Sequence, residues 1–269
     1  MIEMFEFLEY GFMQRALVAG IVIGFIAPMI GAFLVVRAYT RLADTLAHVS
    51  LAGVAGGLMA GFDPVVGAIG VSLVSAFGIE ALRGRGRVVV DAALAIFLWG
   101  GLALAVVLIS ASKGFSIDIM SYLFGSIATV SPGDLTVISV FGVVVAANLM
   151  IFYRQFFMVS CNEELARAAG LKTHLINHVL VGLAALTVAL SLRVVGLLLV
   201  GALMSIPVLA AMQLARSFRA LIIVSVTFSL LSVIIGLVLS YYFDLASGGV
   251  IVLVAVGFFL FSFAFKKAQ

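Results

Sequence analysis

Asp44 and His48 stand four positions apart, the only Asp/His pair at helical spacing in the chain. On a helix, residues i and i+4 share one face, a turn apart, so a carboxylate oxygen and an imidazole nitrogen there can both reach one divalent cation. The chain around them is 65% hydrophobic and only 10% charged. A carboxylate placed near lipid depth costs about 2.5–3.5 kcal/mol on insertion scales, which makes an intramembrane Asp a functional residue by default. His174 and His178 repeat the i, i+4 spacing. At a membrane interface such histidines are usually structural; a metal role on the exit side is the alternative reading. The single cysteine, Cys161, excludes an internal disulfide and any CxxC metal site.

The elements that must position these side chains follow from composition. The chain has 269 residues and a mean hydropathy of +1.34. A soluble domain cannot hide so much apolar side chain, because its surface demands a polar coat. Apolar runs long enough to cross a bilayer as helices recur from end to end. The expected fold is all-α, a polytopic helical membrane protein forming one transmembrane domain over residues 1–269. Nine spans are expected, at about 12–36, 44–61, 64–81, 89–111, 133–153, 175–191, 194–212, 219–242 and 247–265. The count falls to eight if 175–191 and 194–212 merge or one re-enters. The first nine residues carry Glu3, Glu6 and Glu9 where a cleavable signal would carry basic residues, so none is expected.

Orientation follows from Lys and Arg beside span ends. With the N-terminus outside and the C-terminus cytoplasmic, the inner segments hold Arg37, Arg41, Arg83, Arg85, Arg87, Arg154, Arg167, Lys172, Arg216, Arg219, Lys266 and Lys267, twelve of the 15 basic residues. The reverse orientation inverts that ratio. This topology puts Asp44 and His48 one to two turns inside the cytoplasmic end of the second span. The net charge of +3 is small, and no nucleic-acid partner is expected; the bilayer is the expected surrounding.

Gly53, Gly57 and Gly61 make two GxxxG steps on the helix that carries the Asp/His pair, and Gly20 and Gly24 make another in the first span. Small residues let helix backbones approach closely in lipid. Ordinary helix packing accounts for them, and a tight pathway or subunit contact is compatible with it. Asn148 reads as an interhelical hydrogen-bond donor, Glu80 as a span end paired with Arg83, and the phenylalanines as lipid-facing bulk. Ser205 and Pro207 interrupt an apolar run and mark a bend.

Residues 154–174 form the longest polar stretch. Within it Asn162 is a good N-cap, Glu163 and Glu164 occupy a first turn, and Gly170 is a stop. Glu163 and Arg167 are spaced i, i+4, while Leu165, Ala168 and Ala169 supply an apolar side. A short surface helix of about two turns is expected. It is either a plain loop helix or one that docks into a groove on a cytoplasmic partner.

Three stretches carry a family likeness: Arg41-Leu-Ala-Asp-Thr-Leu-Ala-His48 with Leu51-Ala-Gly53, Asn162-Glu-Glu-Leu-Ala-Arg-Ala-Ala-Gly-Leu171, and Gly196-Leu-Leu-Leu-Val-Gly-Ala-Leu-Met-Ser-Ile-Pro-Val-Leu-Ala-Ala211. In order and over essentially the whole chain, the sequence resembles the permease subunits of ABC transporters that import zinc, manganese or iron. The resemblance implies a type II importer-like fold and a homodimer whose interface is the translocation pathway. It implies two copies of a separate cytoplasmic ATPase and an extracytoplasmic metal-binding protein, in a bacterial inner membrane. It assigns Asp44 and His48 to the transported metal. It assigns Asn162, Glu163, Glu164, Leu165, Ala166, Arg167, Ala168, Ala169, Gly170 and Leu171 to the helix that seats on the ATPase.

No GxxxxGK[ST] phosphate loop occurs in the sequence, so ATP hydrolysis is expected on the separate subunit and the chain is not expected to be an enzyme. No resident cofactor is expected, only the transported ion. The Asp-Thr-Leu-Ala-His wording and the imidazole ligand favour zinc, with manganese and then iron as alternatives. A secondary transporter or channel independent of an ATPase is the rival class. It would favour inverted repeats and more buried acids than this sequence offers.

Overall fold

The computed structural model describes residues 10–84, 89–111, 125 and 131–264. Glu3, Glu6, Glu9, Arg85, Arg87, Lys113, Asp118, Lys266, Lys267 and the Arg193 side chain lie outside the described residues. All regular structure among the described residues is helical: α1 (Gly11–Val36), α2 (Leu42–Ala60), α3 (Pro64–Gly84), α4 (Val90–Ala111), α5 (Pro132–Ile151), α6 (Tyr153–Cys161), α7 (Glu163–Ala168), α8 (Thr173–Val195), α9 (Leu197–Met212), α10 (Phe218–Phe243) and α11 (Ser247–Ala264). Eight of these are long and apolar enough to cross a membrane. The remaining apolar helix, α9, has 16 residues, about 24 Å at 1.5 Å per residue, and falls short of a core about 30 Å thick.

The runs expected at 175–191 and 194–212 remain separate helices. Gly196 parts them at φ 79°, ψ 164°, a conformation open essentially to glycine alone. Elsewhere the chain turns on ordinary signals. α2 ends at Gly61, whose φ of 75° closes the helix left-handed, and the Asp63 carboxylate then accepts from Val65 N–H at 2.7 Å. Ser131 and Asp134 form a reciprocal capping box over Pro132 at the start of α5.

One helix lay outside the expected plan. The expected span at 133–153 gives way at Phe152, and residue 153 with the first part of the polar stretch 154–174 forms α6, amphipathic and separated from α5 only by Phe152. Its Phe156 is buried against Phe33 of α1, ring centroids 5.8 Å apart, and Phe218 of α10 closes on Phe33 at 5.0 Å. Phe33 and Phe156 are fully buried, so they are core residues rather than lipid-facing bulk. Burying such rings is worth roughly 1.5–3 kcal/mol each, which is why a stretch carrying an Arg and a Gln still folds back onto the bundle.

The bundle is organised around α1, α2 and α8. α1 packs on α5, α6, α8, α9 and α10, while α2 packs on α3, α4, α8 and α9. Glycines set the closest approaches. A Cβ at Gly53 would meet the Gly67 carbonyl of α3, and one at Gly57 would meet Pro64. The face carrying Gly53 and Gly57 is therefore occupied by the chain's own α3. Gly20 and Gly24 lie against Val233 of α10 in the same way. At Gly31 the backbones of α1 and α9 touch directly, since an added Cβ would fall on the Met204 carbonyl. Gly70, in contrast, has open space where a Cβ would stand. Gly31→Ala is expected to destabilise the protein by about 1–3 kcal/mol, and Gly70→Ala to leave it unchanged or slightly stabler. Thermal midpoints of the two variants in detergent check this; equal midpoints would show that the α1–α9 contact yields freely.

Candidate functional site

Asp44 lies in the first turn of α2. It is exposed and His48 is half-buried, whereas every other residue from Leu42 to Leu51 is buried. The pair thus forms the single polar stripe on an otherwise enclosed half-helix. Thr45, between them in sequence, donates to the Arg41 carbonyl at 3.0 Å and reaches the Leu94 carbonyl of α4 at 3.4 Å, which fixes the rotation of α2. Asp44 Oδ1 occupies the space that a Cβ at Gly201 of α9 would fill. Only glycine at 201 leaves room for that carboxylate. His48 Nδ1 is enclosed and has no hydrogen-bond partner among the described residues; such an orphaned buried nitrogen requires a donor or a cation to be satisfied.

Gly201 lies eleven residues before Met212, the last residue of α9, about 16 Å along the helix, so Asp44 packs against the first half of α9. Beside Asp44, α9 leaves Ala202, Ser205 and Ile206 partly uncovered; the Ser205 hydroxyl donates to the Gly201 carbonyl at 2.8 Å. Among the described residues, His, Cys, Asp and Glu nowhere gather in a group of three or more.

His174 and His178 stay apart from that pair. Their rings lie tilted, 4.1 Å between centroids, His178 Nδ1 lies 2.8 Å from the His174 carbonyl, and the His178 ring stacks on Phe77 of α3 at 5.7 Å. With Nδ1 engaged and one face covered, His178 pins the second turn of α8 against α3. Met204 is buried, while Met59 and Met212 are exposed.

The loop helix α7 is anchored by one carboxylate. Glu163 accepts from Arg83 of α3 at 2.6 Å, from Asn177 of α8 at 3.1 Å and from Arg37, just past α1, at 3.4 Å. Arg83 also grips Glu80 through both carboxylate oxygens, and Arg37 donates to Asn177 at 2.7 Å. Below these cations lies Tyr39, its ring 5.2 Å from Arg37 and 5.9 Å from Arg83. Burial, then the charge of Glu80, pushes its phenol up to about 12. Asn162 caps α7 by accepting from Leu165 N–H at 3.0 Å. Gly170, at φ 85°, ends it in a Schellman motif, with Leu171 N–H on the Ala166 carbonyl and Gly170 N–H on that of Arg167. Ala166 faces inward, whereas Leu165 is 66% exposed and Ala168 and Ala169 are exposed beside it.

A family model described as the ABC 3 transport family matches residues 9–266. The chain belongs to the ABC 3 transport family. It is 33% identical over 262 residues to the manganese transport system membrane protein MntC of Listeria innocua, covering 97% of this chain and 93% of that protein. It is 31% identical over 254 residues to the high-affinity zinc uptake system membrane protein ZnuB of Haemophilus influenzae, covering 94% and 97%. Among solved structures, a chain of PsaBC from Streptococcus pneumoniae in complex with Fab superposes with a TM-score of 0.87 at 32% identity, over 99% of this chain and 97% of that one. The protein is a multi-pass membrane permease of the ABC transporter class.

In this ABC 3 permease the clasp on Glu163 contains partners that spacing along the chain does not expose. Arg37 and Arg83 are 126 and 80 residues away, and Asn177 carries no motif of its own. The only local signals were Glu80 beside Arg83 and Glu163 beside Arg167, the latter pair closing at 3.5 Å. Asn148, read as an interhelical donor, instead donates to the Val144 carbonyl of its own helix at 2.9 Å. On that outer face the nearest acceptor is its own i−4 carbonyl.

Burial pushes the Glu163 carboxyl up, but the hydrogen bond and charge of Arg83, with the Arg37 charge and the Asn177 amide, outweigh it and hold the group below its ordinary 4.5. A carboxyl depressed on folding contributes fully above its ordinary value, and that contribution fades as pH falls through the lowered one. Hydrogen-exchange protection factors over residues 162–171 are expected to be flat above the ordinary 4.5 and to fall as pH drops below it. In Glu163→Gln the drop should vanish; an identical acid profile in that variant would assign it to another group.

Proposed function

We propose that this permease carries a divalent first-row metal ion through the seam between two copies of itself, with Asp44 and His48 as the transient ligands. The observation that carries the reading is the polar stripe of Asp44 and His48, seated in a recess that only Gly201 permits, with His48 Nδ1 enclosed and unpartnered among the described residues. A two-fold axis brings two carboxylates and two imidazoles together. That set suits zinc directly and suits manganese once water completes the shell. Imidazole ligands favour zinc; the Listeria innocua relative, named for manganese, supports the second cargo. A half-shell from each chain, with no fixed third ligand, binds favourably yet releases, as conduction requires.

The same reading sets orientation and partners. The end of the bundle that gathers Arg37, Arg83, Arg154, Arg167, Lys172, Arg216 and Arg219 is cytoplasmic by the positive-inside rule. There α7 presents Leu165, Ala168 and Ala169 outward while Glu163 holds it from behind. Residues 162–171 seat on a cytoplasmic ATPase, one per permease copy, and a metal-binding protein delivers the ion at the opposite end.

Asp44→Ala and His48→Ala are each expected to lower uptake of radiolabelled zinc or manganese more than about tenfold, with the complex still assembling. Wild-type uptake by both variants would remove the site. Leu165→Asp should abolish co-purification with the ATPase while the permease remains folded. Uptake that persists without any ATPase would move the protein to the class of secondary transporters.

A further inference from the structure

Away from the Asp44 stripe, a cleft of about 470 Å³ opens on the outer face between α1, the end of α5 and the start of α10. Its floor is apolar and closed: Phe33 and Leu149 are fully buried. Its lip is apolar and open, with Ile151 74% and Ile223 66% exposed, so it faces hydrocarbon sideways. Its rim at the basic end carries Arg154 and Arg219, both exposed. Arg37, Arg83 and Arg167 all have carboxylate partners; Arg154 and Arg219 enter no ion pair among the described residues.

The positions of these two arginines sharpen the point. Arg154 is in the first turn of α6 and Arg219 in the first turn of α10, and neither turn contains an acidic residue. Cations at helix N-termini oppose the helix dipole. The two N-termini are adjacent, since the rings of Tyr153 and Phe218 lie 6.0 Å apart. Two guanidinium groups and two positive helix ends therefore meet at one end of an apolar trough, with no ion-pair partner among the described residues. Basic pockets between spans on this side are suited to anionic lipid headgroups, and arginine pairs well with phosphate.

We propose that this cleft is a binding site for an anionic glycerophospholipid, whose phosphate is held by Arg154 and Arg219 and whose acyl chain lies along Ile151 and Ile223. The inference rests on the membrane fold and stands apart from the identity of the cargo. A free anion lacks the chain that fills the trough; an acidic protein surface would engage the arginines and leave the trough empty.

The test is native mass spectrometry of the permease and of its complex with the ATPase, titrated with phosphatidylglycerol or phosphatidylcholine. Wild type is expected to prefer phosphatidylglycerol about ten- to thirtyfold. Arg154→Gln/Arg219→Gln should remove that preference, while Lys172→Gln/Arg216→Gln, at the same end but off the cleft, should keep it. Equal loss in both double variants, or no preference in wild type, would reduce the effect to diffuse charge and overturn the site. Displacement of the lipid by millimolar inorganic phosphate would assign the arginines to a free anion. Displacement on adding the ATPase would assign them to a protein interface. Either result overturns the proposal. Because uptake is not the readout, failure here leaves the metal assignment untouched.

Discussion

A carboxylate at hydrocarbon depth costs about 2.5–3.5 kcal/mol before any partner is found, and Asp44 enters no ion pair among the described residues. That imbalance governs the architecture around it. α2 is wrapped by α3, α4, α8 and α9, Thr45 locks its rotation, and Gly201 clears the volume the carboxylate needs. The neighbouring imidazole adds a second unsatisfied atom, His48 Nδ1. Two polar groups are thus left open on one face of a half-helix whose other residues are buried.

The basic end shows the opposite design, a charge cluster completed within the chain. Glu163 accepts from three different elements, with the Arg37 side chain only 7% exposed. Ion pairs enclosed in this way add little net stability, but breaking one leaves an uncompensated charge, which makes the geometry stiff. The stiffness has a direction. Arg37 precedes Asp44 by seven residues, through a tight turn at Ala38 with φ 59°. A displacement of α7 thus reaches the first turn of α2 through one ion pair and one short turn, with no flexible loop between.

The spans were legible because apolar runs of bilayer length have few alternatives, and the Asp/His pair was legible because helical periodicity alone puts i and i+4 on one face. The short loop helix was readable from its own caps, Asn162 and Gly170, since capping is local chemistry. What was not readable depends on distance along the chain. Nothing near Glu163 announces Arg37 or Asn177, and Gly53 gives no sign of whether its open face meets α3 or another subunit. α6 was hidden for a different reason. Tyr153-Arg-Gln-Phe-Phe is too polar for a span and too aromatic for a loop, and only the buried ring of Phe33 decides between them.

Asp44 stands in the first turn of α2, where the helix N-terminus brings its partial positive charge to the carboxylate. Such an end stabilises a nearby anion by about 0.3–1 kcal/mol at a surface, and by up to about 2 kcal/mol in partly buried geometries. Together with the charge of Arg41 at the N-cap of the same helix, this offsets a substantial part of the insertion cost, and Asp44 enters no ion pair among the described residues. Neither contribution covers the carboxylate, which stays exposed. Gly196 makes this possible at the other end: by breaking α8 from α9 at a backbone angle open only to glycine, it sets the register that brings Gly201 opposite Asp44.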